Sequence, residues 1–322
     1  MSEPMSEAIQ RTLTVPVEYA GQRLDQVLAE LLSDFSRTRI KEWIEAGQVL
    51  VDGEKLRPKD KVLGGEQVRV SAVVEEVGGV EPEQIQLDIV HQDRHILVLN
   101  KPPGLVVHPG AGNQAGTLQN ALLHLDPKLA QVPRAGIVHR LDKDTSGLMV
   151  VARTLEAHTA LVRAIEAREV EREYEAVCTG VMTGGGVVDA PIGRHPVDRV
   201  RMAIREDGRE AVTHYRVLHR YRAHTHVRLK LESGRTHQIR VHMAHIRYPI
   251  VGDRVYGGRL MLPKGASPQL IEALRGFKRQ ALHAASLAFA HPVSEKAIKC
   301  EAALPDDMKA LLRVLTEDQK KK

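Results

Sequence analysis

Between residues 24 and 31 the apolar positions Leu24, Val27, Leu28 and Leu31 fall three and four apart, the spacing of one helical face. The same spacing returns in SRTRIKEWIEAG. There Ile40, Trp43 and Ile44 make the stripe, Ser36 is placed to cap the start, Gly47 ends the run, and Arg37, Arg39 and Lys41 project beside it. The period then changes. VLVDGEKL sets Asp52-Gly53 after an apolar run, a short-range hairpin signal, and EQVRVSA alternates as a strand. Two helices and a small hairpin sheet make a mini-domain. The stretch VEEVGGVEPEQ, Val74 to Gln84, is acidic, aperiodic and glycine-containing, and reads as a linker.

A larger unit follows. HILVLN predicts a strand that ends in a turn at Lys101-Pro102-Pro103-Gly104. TLEAHTALVRAIEARE predicts a helix capped by Thr154, and REYEAVC a strand with Tyr174, Ala176 and Cys178 on one face. HTHVRLKLES alternates cleanly. In SGRTHQIRVHMAHI a Ser-Gly turn leads into a helix whose apolar side is Ile239, Met243 and Ile246, with Arg240 in its first turn. Strands beside strands, with helices interspersed but no regular βαβ repeat, predict an α+β fold on a mixed, largely antiparallel sheet. Residues 1–15 are expected to be a disordered tail, 16–76 the mini-domain, 77–86 the linker and 87–322 the large domain.

One stretch breaks the apolar pattern. HRLDKDTSG, His139 to Gly147, crowds two carboxylates, two cations and hydroxyls between GIV and LMVVA. Neither a core strand nor a surface helix needs such a cluster, so it reads as a loop delivering polar groups to the end of a buried strand.

Charge sharpens the picture by its distribution. The chain of 322 residues carries a net charge of only +5. Between Arg194 and Arg247, however, thirteen Lys and Arg face five Asp and Glu, and eight of the sixteen histidines lie there. Twelve of those cations are arginines, whose planar fork suits phosphate better than mere solubility requires. A nucleic-acid partner is expected. The mini-domain runs the other way, with nine basic against twelve acidic residues from Val17 to Glu76, so any RNA contact there must come from a patch such as Arg37, Arg39 and Lys41. Cys178 and Cys300 have neither pairing nor metal spacing, and buried free thiols are expected. His237, His242 and His245 could suggest a metal site, but no HExxH or cysteine pair supports one, and no metal or cofactor is expected. Phosphate-loop motifs are absent. With no targeting or membrane-spanning stretch, a cytoplasmic monomer is expected.

The mini-domain resembles the S4 RNA-binding module in its RLD-starting first helix, SR-starting second helix and GQVLVDG strand-turn. Taken together, HRLDKDTSGLMVVA, NKPPGLVVHPG, REYEAV and SGRTHQIRVHMAHI resemble the RluA-type family of pseudouridine synthases, from about residue 15 to 310. That resemblance implies isomerisation of uridine to pseudouridine in large-subunit (23S) ribosomal RNA, in the helix 69 stem-loop. It implies Asp142 as the catalytic carboxylate, Arg240 as its partner cation, Tyr174 stacked on the target base, and Arg140 filling the space the flipped base leaves. Arg199, Arg201 and Arg235 are the further expected RNA contacts. A single carboxylate suffices in principle, because the base never leaves and no water need be activated. An RNA-binding assembly factor without activity is the alternative that the basic face alone would support.

Overall fold

The computed structural model describes residues 7–32, 37–74, 80–110, 112–198 and 200–320, and of residues 7, 8, 37–39, 73 and 74 the backbone alone. The chain divides into two compact units, Met1–Gly79 and Val80–Lys322.

The first unit contains β1 (Glu7–Thr14), α1 (Leu24–Leu31), α2 (Arg37–Glu45), β2 (Val49–Val51) and β3 (Gln67–Val74). Leu24, Val27 and Leu28 of α1 and Ile40, Trp43 and Ile44 of α2 bury against Val49, Val51, Val68 and Val70, so the helical spacing is spent on one small core. The expected cap Ser36 lies outside the described residues. Two expectations need correction. Most of the expected disordered tail is strand, since β1 pairs with β3 from Glu7↔Val74 to Thr14↔Gln67. Ile9, Leu13 and Val15 keep the period of two that fastens it to the core. The Asp52-Gly53 turn forms with both residues left-handed (φ 50° and 87°), and Val51 and Glu54 exchange backbone hydrogen bonds across it. The strand that β2 joins, however, is β3, with Val49↔Val70 and Val51↔Val68. EKL offers one apolar residue to the helices, whereas EQVRVSA offers an alternating set.

The second unit runs β4 (Asp88–Gln92), β5 (Ile96–Lys101), α3 (Leu118–Leu125), β6 (Ser146–Ala152), α4 (Leu155–Glu166), β7 (Glu171–Thr179), β8 (Gly186–Asp189), β9 (Ile192–Arg194), β10 (Met202–Ile204), β11 (Val212–Arg220), β12 (His224–Leu231), α5 (Gln238–His245), α6 (Pro268–Gly276), β13 (Leu282–Ala290), β14 (Ala297–Glu301) and α7 (Asp306–Lys320). Its main sheet has the order β4-β5-β6-β13-β7-β12-β11-β8, with β14 along the far half of β13, and only β6 and β13 pair in parallel. Strands β9 and β10 form a separate ribbon. The α+β architecture with a mixed, largely antiparallel sheet is therefore as the sequence predicts. No described helix is long and apolar enough to cross a membrane.

Strands β5 and β6 are buried on both faces, so HILVLN does not alternate in exposure. Ile96, Val98, Leu148 and Val150 share a core with Ala157 and Leu161 of α4, while Leu97, Leu99, Met149 and Val151 belong to the larger core that also takes in residues of α3, α6 and α7. Thr154 caps α4 by accepting from the Ala157 N–H. The expected linker ends earlier than residue 86. Asn120 Nδ2 donates to Glu81 O at 2.7 Å, Glu83 N–H to Asn120 O, and Gly116 N–H to the Glu83 carboxylate, so residues 81–83 are stitched to α3.

Candidate active site

The polar loop sits where its flanks place it, delivered by the chain into β6 beside the sheet's one parallel step. Its backbone is held from several directions. Lys101, fully buried at the end of β5, donates from Nζ to the carbonyls of Pro102, Leu105 and Lys143, each at 2.9 Å. Burial pushes its pKa down to about 8, although the fields of Asp144 and Asp142 oppose that shift. Gly104 N–H also donates to Lys143 O, Arg279 Nη1 to Asp144 O, and Gln280 Nε2 to Thr145 Oγ1. Asp144 thus stabilises the loop through its carbonyl. Behind the loop, His139 Nε2 accepts from the Val150 N–H, and burial pushes its pKa down to about 3, so the ring is neutral.

Asp142 projects into a cleft of about 860 Å³, of the size that takes small organic ligands. Tyr174 of β7, Arg240 of α5, Arg140 and Arg235 line the same cleft, although Asp142 and Arg240 are 98 residues apart in the sequence. Arg240 Nη1 donates to Asp142 Oδ2 at 3.0 Å. Its other edge makes a fork with Asp253, Nε to Oδ2 at 2.7 Å and Nη2 to Oδ1 at 3.0 Å. The Asp253 carboxylate also accepts the Val255 and Tyr256 N–H groups. Burial works against both charges, but each partner's hydrogen bonds and field outweigh it. The Arg240 pKa rises above even the usual arginine value, and the Asp253 carboxyl is held below the carboxylate range. The guanidinium stays charged and cannot rotate.

Tyr256 closes a second chain of contacts. Its ring lies 5.0 Å from the Arg240 guanidinium carbon and 5.5 Å from that of Arg201. Its hydroxyl accepts from the Met202 N–H at 2.9 Å and is hydrogen-bonded to His237 Nδ1 at 2.8 Å. The other ring nitrogen, His237 Nε2, lies 3.9 Å from Asp142 Oδ1. Burial lowers the His237 pKa, so the neutral ring dominates near pH 7. The Tyr174 phenol is 5% exposed, and its pKa is raised by burial, so it stays protonated.

The other expected residues divide by location. Arg140 is exposed at the cleft edge, Arg235 Nε donates to Glu210 O at 3.0 Å, and Arg201 reaches the site through Tyr256. Arg199 lies outside the described residues, as do the side chains of Arg37 and Arg39 on α2. Lys41 belongs to the first unit, where it is exposed and pairs with Glu45 at 3.5 Å. The three histidines do not converge. His242 is buried between Thr213 Oγ1 and Ala190 O, His245 is exposed, and His237 joins the Tyr256 chain. Cys178 and Cys300 are both free and buried. Sequence reasoning missed Asp253, Tyr256 and Arg172. For the first two, the only signal was a carboxylate and a phenol three apart in VGDRVYGG.

Comparison with known proteins agrees with this geometry. The family model described as RNA pseudouridylate synthase matches residues 95–245, and the S4 domain model matches residues 22–68. The chain is 58% identical over 317 residues to "Ribosomal large subunit pseudouridine synthase D" of Xanthomonas campestris pv. campestris, covering 98% of this chain and 96% of the relative. The proteins of that name from Escherichia coli K12 and Pseudomonas aeruginosa are each 57% identical over 315 residues, covering 98% of this chain and 97% and 98% of the relatives. Among solved structures, "Human RNA Pseudouridylate Synthase Domain Containing 4" superposes with a TM-score of 0.56 at 28% identity, over 71% of this chain and 93% of that one. "Human RNA Pseudouridylate Synthase Domain Containing 1" gives 0.53 at 25% identity, over 74% and 96%. With the carboxylate, tyrosine and arginine of the conspicuous motifs gathered around one cleft, and relatives this similar over nearly the full length, the chain belongs to the RNA pseudouridylate synthase family and is an RNA pseudouridine synthase with an S4 domain.

Proposed function

We propose that this enzyme isomerises uridines in large-subunit (23S) ribosomal RNA, within the helix 69 stem-loop, with Asp142 as the catalytic carboxylate. The observation that carries the Asp142 assignment is the division of labour between its oxygens. Oδ2 is engaged by Arg240 at 3.0 Å, while Oδ1 has His237 Nε2 at 3.9 Å, and the residue lines the cleft. A guanidinium locked by Asp253 presents one nitrogen to Oδ2 and so fixes the orientation of the carboxylate. Tyr174 is placed to stack on the everted base, and its neutral phenol adds no repulsion. Arg140, exposed beside the carboxylate, is placed to fill the gap in the RNA. Arg201 and Arg235 would meet phosphates, and we assign the same role, from the sequence alone, to Arg199 and, in the S4 domain, to Arg37, Arg39 and Lys41.

The substrate reading is supported by the relatives' shared name. The reaction requires no cofactor or metal to balance. C1′–N1 breaks, C1′–C5 forms, C5 gives up a proton and N1 gains one. We place the enzyme in the cytoplasm, acting as a monomer on ribosomal RNA or the ribosomal subunit.

Replacing Asp142 by Asn keeps the shape and removes the charge. Single-turnover rates on helix 69 RNA should fall by at least about 10³-fold with RNA affinity kept. In cells lacking the protein, mapping should find uridine where helix 69 otherwise carries pseudouridine. Persistence of every large-subunit pseudouridine would refute the substrate, and full-speed turnover by the Asn variant would refute the carboxylate.

A further inference from the structure

Arg172 and Tyr174 stand two residues apart on β7, so their side chains leave the strand on the same face, and both line the cleft that holds Asp142. Arg172 is only 6% exposed. Among the described residues no hydrogen bond or ion pair reaches its guanidinium, and its Nε is sealed from solvent without a partner. Its cationic neighbours are treated differently. Arg240 is forked onto Asp253 and bonded to Asp142, and Arg228 pairs with Glu173 and Glu175. Room for the unpaired group comes from Gly234, where a Cβ would meet Arg172 Nη1 at 2.7 Å. With Nε sealed in the protein and the two terminal nitrogens neither sealed nor given an acceptor among the described residues, the group is placed to donate to something that arrives in the cleft.

We infer that Arg172 is a further catalytic residue, hydrogen-bonding a carbonyl oxygen of the everted uracil and stabilising the negative charge that gathers there as the C1′–N1 bond breaks. This rests on the reading of Asp142 and the cleft given above. Whether the carboxylate attacks C1′ or takes a proton from the sugar, the C1′–N1 bonding pair leaves with the base and spreads onto its carbonyl oxygens. It returns when C5 bonds to C1′, after which C5 loses its proton and N1 gains one. A fixed donor in a water-poor site is the usual means of holding such transient charge. Phosphates are better served by the accessible cations of the edge, Arg140 and Arg235, than by one this deep. Sharing a strand face with Tyr174 places Arg172 beside a base stacked on that ring.

The test uses the full-length enzyme on helix 69 RNA under single-turnover conditions, with Arg172→Met and Arg172→Lys beside wild type and Asp142→Asn. Arg172→Met should lower the rate at saturating enzyme by about 10²–10³-fold, the size of losing an oxyanion donor, with RNA Kd within about threefold of wild type. Arg172→Lys should recover part of that rate. Because a buried unpaired charge has been removed, the Met variant should melt no lower than wild type. Retention of the wild-type rate would overturn the inference. So would Kd weakened more than about tenfold with the saturating rate kept, the signature of a phosphate contact. A Tm lower by more than about 5 °C would also overturn it, because the arginine would then be a structural strut. An inactive wild type, or an active Asp142→Asn, would instead bring down the parent reading, and the inference with it.

Discussion

Asp253 accepts four hydrogen bonds, two from Arg240 and two from backbone N–H groups, and so fixes the direction in which Arg240 presents its remaining nitrogen to Asp142. Asp253→Asn keeps the volume but turns an acceptor into an amide whose N–H₂ faces a guanidinium. The saturating rate should drop by about 10²-fold while RNA Kd stays within about threefold, because the lost element is orientation of the proposed Asp142–Arg240 pair. Asp253→Ala leaves a buried cation half-paired and should lower stability by about 3–5 kcal/mol in denaturant unfolding. If the Asn variant lost RNA affinity and kept its rate, Asp253 would not be a positioning residue. At this scale the sequence was legible where long motifs carried the residue, as for Asp142 and Arg240. It was not legible for Asp253 or Arg172, because their importance lies in which partner each meets or lacks, and that depends on how distant segments pack.

The parallel step between β6 and β13 carries the loop that bears Asp142, and it depends on one residue without a side chain. Gly147 pairs with Ala284 at φ 118°, and a Cβ there would fall 2.3 Å from Ala284 O and 2.5 Å from Ala284 N. Backbone cannot swing aside as a side chain can. Gly147→Ala should therefore cost more than about 2 kcal/mol of stability and misplace the loop, while Gly184→Ala, with open space and no positive φ, should stay within about 0.5 kcal/mol. Equal unfolding midpoints for the two variants would refute the close-approach argument. Several elements were legible from periodicity, α1, α2, α4, β7 and β12 among them. The extended tail strand β1 was missed because its alternation is short and its partner lies about sixty residues away. The pairing of β2 was misread because turn chemistry fixes the turn but not which later strand offers apolar residues to the helices.

Across the whole molecule, charge and chemistry are distributed unevenly. The arginine-rich stretch from Arg194 to Arg247 supplies cleft residues such as Arg235 and Arg240, yet several of its charges are spent inside the protein, as Arg228 on Glu175 and Arg222 on Asp318 show. Arg140 and Arg235 line the cleft with no ion pair among the described residues. Each replaced by Ala should therefore reduce the slope of log K against log[salt] for RNA binding by about 1, whereas Arg222→Ala should leave it unchanged. A slope unaltered in both cleft variants would remove them from the phosphate-contacting set. By itself the sequence determined the two-unit organisation, the α+β class, the family and the polar segment that the fold brings to the cleft, since these are written in local periodicity and in contiguous motifs. Only the tertiary structure decided which charges are neutralised internally, which oxygen of Asp142 Arg240 engages, and which cleft guanidinium has no acceptor among the described residues. Burial and pairing are set by residues brought together from opposite ends of a sheet, and no local pattern records them.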